Sequence, residues 1–167
     1  IFQQIVADHS NGTYGPRSQF TLGDYYYGLK EYDKARENYQ TFLELFPADK
    51  LMAQDRALPR KAKTLLGHLG EIDAYNLYSA GEKLFDEKNY DEAVKIFEEV
   101  QQKYPKSDQA VNSLVNIAAA YMAQEEYRDA GAIFQEVVDN YGDNSKFGPQ
   151  VEFAKQQLEA MQEARVL

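Results

Sequence analysis

The chain has 167 residues, 44% of them hydrophobic and 27% charged, enough apolar material for one domain with a core or a short run of stacked repeats, and too much for a disordered polymer. Its formal charge of -9 excludes a role built on neutralising phosphates, so neither nucleic acid nor an anionic membrane surface is an expected partner. The absence of cysteine removes disulfides, thiolate metal sites and cysteine nucleophiles, and no run approaches the roughly 18 apolar residues of a membrane span.

In chain order, the first element reads as a fragment. The stretch IFQQIVADHSNGTYGPRSQF at the start aligns with IFQEVVDNYGDNSKFGPQVEF at 133–153 with one residue of slip in the loop. Residues 1–8 are therefore expected to be the tail of a second helix whose first helix is missing, with Phe2, Ile5 and Val6 packed on something upstream or covered by another molecule. The chain starts at Ile1 rather than Met, which leaves room for a signal peptide or lipid anchor on a longer precursor.

Residues 16–47 read as a pair of antiparallel helices, and their skeleton returns twice. Gly23 to Ala35 is twelve residues, Ala35 to Tyr39 four, and Tyr39 to Pro47 eight. The same intervals separate Gly81, Ala93, Phe97 and Pro105 at 71–105, and Ala118, Ala130, Phe134 and Gly142 at 107–142. First helices carry stripes at helical spacing, Leu77, Ala80, Gly81 and Leu84 or Leu114, Ile117, Ala118 and Tyr121, and a polar turn precedes each second helix. Proline, lacking an N–H, closes the second helix. Helix axes that pack about 8–10 Å apart need short side chains where the backbones approach. The recurring Gly and Ala meet that need, and the rings fill the space beside them.

Between the first two pairs lies an irregular piece. Tyr39 to Phe97 is 58 residues against 37 for Phe97 to Phe134, so about 21 extra residues fall within 49–70. Ala62, Leu65, Leu66 and Leu69 after Pro59 predict an inserted helix with a break or kink at the proline. Five basic residues here, Lys50, Arg56, Arg60, Lys61 and Lys63, face two acidic ones, Asp49 and Asp55, a net of +3 in an acidic chain. The plain reading is a spacer helix with solvated charges. The sharper one is a contact to an acidic partner, or a clasp onto the acidic repeats. Last comes 149–165, whose narrow stripe Val151, Ala154, Leu158 and Met161, with Lys155 in the slot held elsewhere by Gly23, Gly81 and Ala118, predicts a capping helix.

No residue pattern argues for catalysis, a cofactor or a metal. His9 and His68 have no partner at usable spacing, no phosphate-binding, dinucleotide, zinc-protease or nucleophile-elbow motif is present, and DNYGDNS at 139–145 lacks the spacing and terminal Glu of a calcium loop. NGT at 11–13 fits a glycosylation acceptor only in a secreted eukaryotic chain.

The repeated frame resembles the tetratricopeptide repeat, a 34-residue unit with small residues and aromatics at set offsets. LGDYY at 22–26 with AREN, Tyr39, Phe42 and Pro47 carries the resemblance, as do AGEKL at 80–84 with Ala93, Phe97 and Pro105, and Ile117, Ala118 and Tyr121 with Ala130 and Phe134. Gln19, Leu77 and Leu114 fill the usual Trp slot, Leu84 replaces a Tyr, and Gly142 stands for a Pro. The resemblance implies an all-α fold, a right-handed α-solenoid of helix-turn-helix hairpins with one inserted helical segment and a C-terminal cap. It also implies that first helices line a concave groove. The non-packed positions projected there are Arg17, Phe20, Asp24 and Tyr27; Tyr75, Tyr78, Glu82 and Phe85; and Asn112, Val115, Asn116 and Met122. Rings on such a face anchor partners, or pack on the inserted helix or the next repeat. Asn side chains can hold an extended peptide. Phe20, Asp24, Tyr78 and Glu82 do not match the Lys, Asn and Arg clamp with which some members grip a terminal carboxylate.

YPKSDQA at 104–110 and the endings FLELFP and VQQKYP look like repeats of bacterial cell-envelope proteins, such as the periplasmic partner of the Tol–Pal system and lipoprotein subunits of outer-membrane assembly machinery. The expected function is thus a non-enzymatic scaffold that binds a peptide or helix of a protein partner, with a periplasmic or outer-membrane address favoured over the cytoplasm. A structural subunit that self-associates through the N-terminal half repeat, or an accessory domain of a larger protein, are the alternatives.

Overall fold

A computed structural model describes residues 15–167. The half repeat expected at 1–8, His9 and the NGT triplet lie outside the described residues. The chain divides into two compact units, Ile1–Leu69 and Gly70–Leu167, and every described regular element is helical.

In the first unit, α1 (Gly15–Gly28) and α2 (Tyr32–Leu45) form an antiparallel pair. Tyr39 and Phe42 of α2 are fully buried, and the ring of Phe20 lies 5.6 Å from each of theirs. Gly23 is where the two helices touch: a Cβ built on it would stand 2.5 Å from Cε1 of Tyr39. Gln19, in the usual Trp slot, donates from Nε2 to the Asn38 carbonyl at 3.1 Å and to its Oδ1 at 3.0 Å, so a buried polar group is paired. Two 3-10 turns follow, Ala48–Lys50 and Ala53–Asp55, and then α3 (Leu58–Asp86).

The 49–70 segment differs from its expectation. α3 runs 29 residues without interruption, so the extra helix and the first helix of the next pair are one element. Pro59 sits in the first turn of α3 and makes no kink. The reason is that the first turn has no partner for its N–H groups, so a proline there loses no hydrogen bond and its fixed φ suits the helix.

In the second unit the remainder of α3 pairs with α4 (Tyr90–Lys103), followed by α5 (Asp108–Ala123), α6 (Tyr127–Tyr141), a 3-10 turn at Ser145–Phe147 and α7 (Gly148–Glu163). Ala93, Val94, Phe97, Ile117 and Ala120 form one buried cluster. Leu114, Ala118, Ala130, Phe134, Val137, Val151, Ala154 and Met161 form another. Gly81 repeats the Gly23 device, a Cβ there standing 2.6 Å from Cε1 of Phe97. Ser107 caps α5, its hydroxyl accepting from the Ala110 N–H at 3.2 Å, which satisfies one orphan donor of the helix start.

The repeat extends to the backbone. The turns after α1, α3 and α5 each hold one non-glycine residue at positive φ, Lys30 at 61°, Lys88 at 63° and Glu125 at 65°. In each, the next N–H reaches back five residues, from Glu31 to Tyr26, Asn89 to Leu84 and Glu126 to Tyr121, at 3.0, 2.9 and 2.8 Å. This is the Schellman closure, normally built on glycine. The N–H groups of Phe46, Tyr104 and Gly142 likewise bond the fourth carbonyl back at the ends of α2, α4 and α6.

Candidate functional site

In the second unit, Tyr75, Tyr78 and Glu82 share one face of α3, and Asn112 and Asn116 share one face of α5, each set at helical spacing. The structure joins the two faces: Asn116 Nδ2 donates to Tyr78 Oη at 2.9 Å. The Tyr78 ring lies 5.6 Å from that of Phe97, so it is half-buried. Its phenol pKa is pushed up, first by burial and then by its hydrogen bond to Glu82, since both disfavour a phenolate. A chain Glu82, Tyr78, Asn116 results.

One turn earlier on α5, Asn112 Oδ1 accepts from Gln150 Nε2 of α7 at 2.8 Å, while Asn112 Nδ2 donates to Gln109 Oε1 at 3.0 Å. Both links between helices, 78 to 116 and 112 to 150, span 38 residues, one more than the 37 that separate Gly81 from Ala118, though they start from different positions of the repeat. Oε1 of Gln150 is buried without a hydrogen-bond partner among the described residues. Gln150 was absent from the sequence-derived set, which drew only on the three pairs. The 38-residue step, a repeat and a little more, is the signal that could have found it.

The other expected residues of this unit are divided. Tyr75 is 57% exposed. Phe85 is spent on Tyr90, with ring centroids 5.2 Å apart, and Val115 and Met122 pack against the buried cluster around Phe134.

The first unit departs further from its expectation. Phe20, projected onto a free face, is a core residue with 7% exposure, because Tyr39 and Phe42 close over it. Arg17 is held in an ion pair, Nε to Asp55 Oδ1 at 2.5 Å, with Asp55 only 2% exposed. That pair ties the second 3-10 turn to α1. Asp24 is exposed but accepts the hydroxyl of Tyr39 at 2.6 Å, and burial together with this bond drives the Tyr39 pKa upward. Tyr27 packs on Tyr32, 5.9 Å between centroids.

Between α1 and the first turns of α3 lies an open groove of about 490 Å³, lined by Phe20, Asp24, Arg60, Lys61, Thr64 and Leu65. Four of these come from the irregular segment, which the repeat frame could not place. Among the described residues no three His, Cys, Asp or Glu converge as a metal site, His68 is an exposed residue of α3, and no helix is long and apolar enough to cross a membrane.

Two family models match. Residues 16–49 match the tetratricopeptide repeat, over α1, α2 and the turn after them, and residues 71–151 match a family described as outer membrane lipoprotein (YfiO), from within α3 into α7. No curated protein matches the chain. Helix pairs with one packing register, one turn geometry and these two matches identify an all-α helical-repeat protein, similar to the tetratricopeptide repeat over 16–49 and to the outer membrane lipoprotein family over 71–151.

Proposed function

We propose that the chain is a non-enzymatic scaffold of the bacterial cell envelope that holds a segment of a protein partner on the α3–α5 face of its second unit. The observation that carries this reading is the row Glu82, Tyr78, Asn116 with the neighbouring pair Asn112 and Gln150. Amide side chains carry both donors and acceptors, so such a row can exchange its internal bonds for the main chain of an extended segment. Tyr75 stands exposed beside it as a rigid ring that gains area at little entropic cost. The envelope address rests on the family match at 71–151.

Site-directed photocrosslinking in cells tests it. A photoreactive residue at Tyr75 is expected to give a defined adduct with an envelope protein. One at Lys95, exposed on α4, gives none. Tyr78→Ala with Asn116→Ala should lower the Tyr75 adduct at least tenfold with helicity unchanged by circular dichroism. Equal adducts from both positions, or a yield indifferent to the double substitution, would remove this face from consideration.

A further inference from the structure

We infer that the groove between α1 and the start of α3 is a second docking site, for an acidic segment of a partner protein that carries one bulky apolar side chain. The site lies wholly within the first unit. It shares with the scaffold reading only the premise that the chain holds protein partners.

The first argument is the chemistry of the lining. Arg60 with Thr64 and Lys61 with Leu65 are two pairs four residues apart on α3, so both pairs present their side chains along neighbouring lines of one face. The Thr64 hydroxyl is already committed to the Arg60 carbonyl at 3.0 Å, so its methyl is what remains for an apolar occupant. The half-buried Leu65 supplies most of the rest of the apolar floor, with the small part of Phe20 that Tyr39 and Phe42 leave exposed. A space of about 490 Å³ is in the range that takes a large side chain with its neighbours, well beyond a bare inorganic anion.

The second argument is charge. Arg60 and Lys61 are exposed, and neither forms an ion pair with any described residue. Asp24, the one acidic residue of the lining, accepts the Tyr39 hydroxyl on Oδ1 at 2.6 Å and keeps its single negative charge, because a neutral phenol does not cancel it. Of the two acidic residues in 49–70, Asp55 is consumed by Arg17 and Asp49 is not among the lining residues. Among the described residues, two cations in no ion pair therefore face the single carboxylate of the lining, Asp24, over an apolar floor, inside a 49–70 segment whose net charge is +3. A segment with carboxylates on either side of an apolar residue complements both features. The chain's overall charge of -9 does not oppose this, because beyond about 8 Å at physiological ionic strength charges are largely screened. The cations at the groove act within that distance.

Fluorescence anisotropy with the whole chain tests the assignment, using labelled, C-terminally amidated twelve-residue peptides so that no terminal carboxylate contributes. The probe has Asp and Glu around one central Phe. One control replaces the acids with Lys, and another replaces the Phe with Gly. The acidic Phe peptide is expected to bind, with each control at least tenfold weaker. Arg60→Glu with Lys61→Glu should weaken the probe at least tenfold, and Lys63→Glu, outside the lining, less than threefold. Tyr78→Ala with Asn116→Ala should leave probe binding unchanged, so this site and the α3–α5 face succeed or fail separately. Equal binding of the Lys peptide, or indifference to the Arg60 and Lys61 reversal, overturns the proposal. Salt-sensitive self-association that this reversal abolishes also overturns it, and assigns the groove to a second copy of the chain.

Discussion

Gly81 and Gly67 lie on the same helix, and replacing each with alanine should have opposite effects. Alanine in place of an interior helical glycine gains about 0.5–1 kcal/mol from backbone entropy. At Gly67 a new Cβ meets nothing within 4 Å, so that gain should appear in full. At Gly81 it would meet the fully buried Phe97 ring at 2.6 Å. Forcing a methyl into such packing costs about 1–3 kcal/mol, so the net effect is destabilising by about 1–2 kcal/mol. Urea unfolding of both variants checks the sign of each. Gly81 was recognisable from its twelve-residue interval to Ala93, because close approach admits so few residue types. Phe20 was not, since its helix position alone does not reveal which neighbouring rings reach over it.

Among the elements, the turn residues are the informative ones. Lys30, Lys88 and Glu125 occupy the left-handed region at equivalent positions, where a residue with a Cβ is disfavoured by about 1–2 kcal/mol. Glycine there relieves that strain but widens the unfolded ensemble. Lys88→Gly is accordingly expected to stabilise by about 0.5–1 kcal/mol, seen as a higher urea midpoint at unchanged slope, whereas the β-branched Lys88→Val should destabilise. These closures were illegible in the sequence because Lys and Glu carry no turn signal. The hydrogen bonds of the two flanking helix ends impose the conformation. Pro59 shows the converse case. It carries a strong break signal, yet at a helix's first turn that signal marks a beginning.

At the scale of the molecule, the second unit contains two buried clusters made entirely of its own residues. A fragment spanning Gly70–Leu167 is therefore expected to fold by itself, with a cooperative thermal transition and helical circular dichroism. A non-cooperative melt would show that its core depends on the preceding residues. The family match at 71–151 falls within this unit and that at 16–49 within the other, in keeping with the division of contacts. Charge divides as well: the basic 49–70 stretch contributes to the first unit's groove, and the polar row of the second unit is built from amides, a phenol and Glu82.

Helix pairing was readable from residues alone. The contact between two axes tolerates only small side chains at one position and rings at the next, and that restriction leaves the same interval each time. The stripe Val151, Ala154, Leu158 and Met161, buried at Val151, Ala154 and Met161 and partly buried at Leu158, was readable for the same reason. Which polar and charged side chains meet was not, because an Asn, a Gln or an Arg is compatible with water almost anywhere. Asn116 finds Tyr78, Gln150 finds Asn112, and Arg17 finds Asp55 through the placement of helices far apart in the chain. The groove under Arg60 and Lys61 exists for the same reason: its two walls come from α1 and α3, and folding of the first unit brings them together.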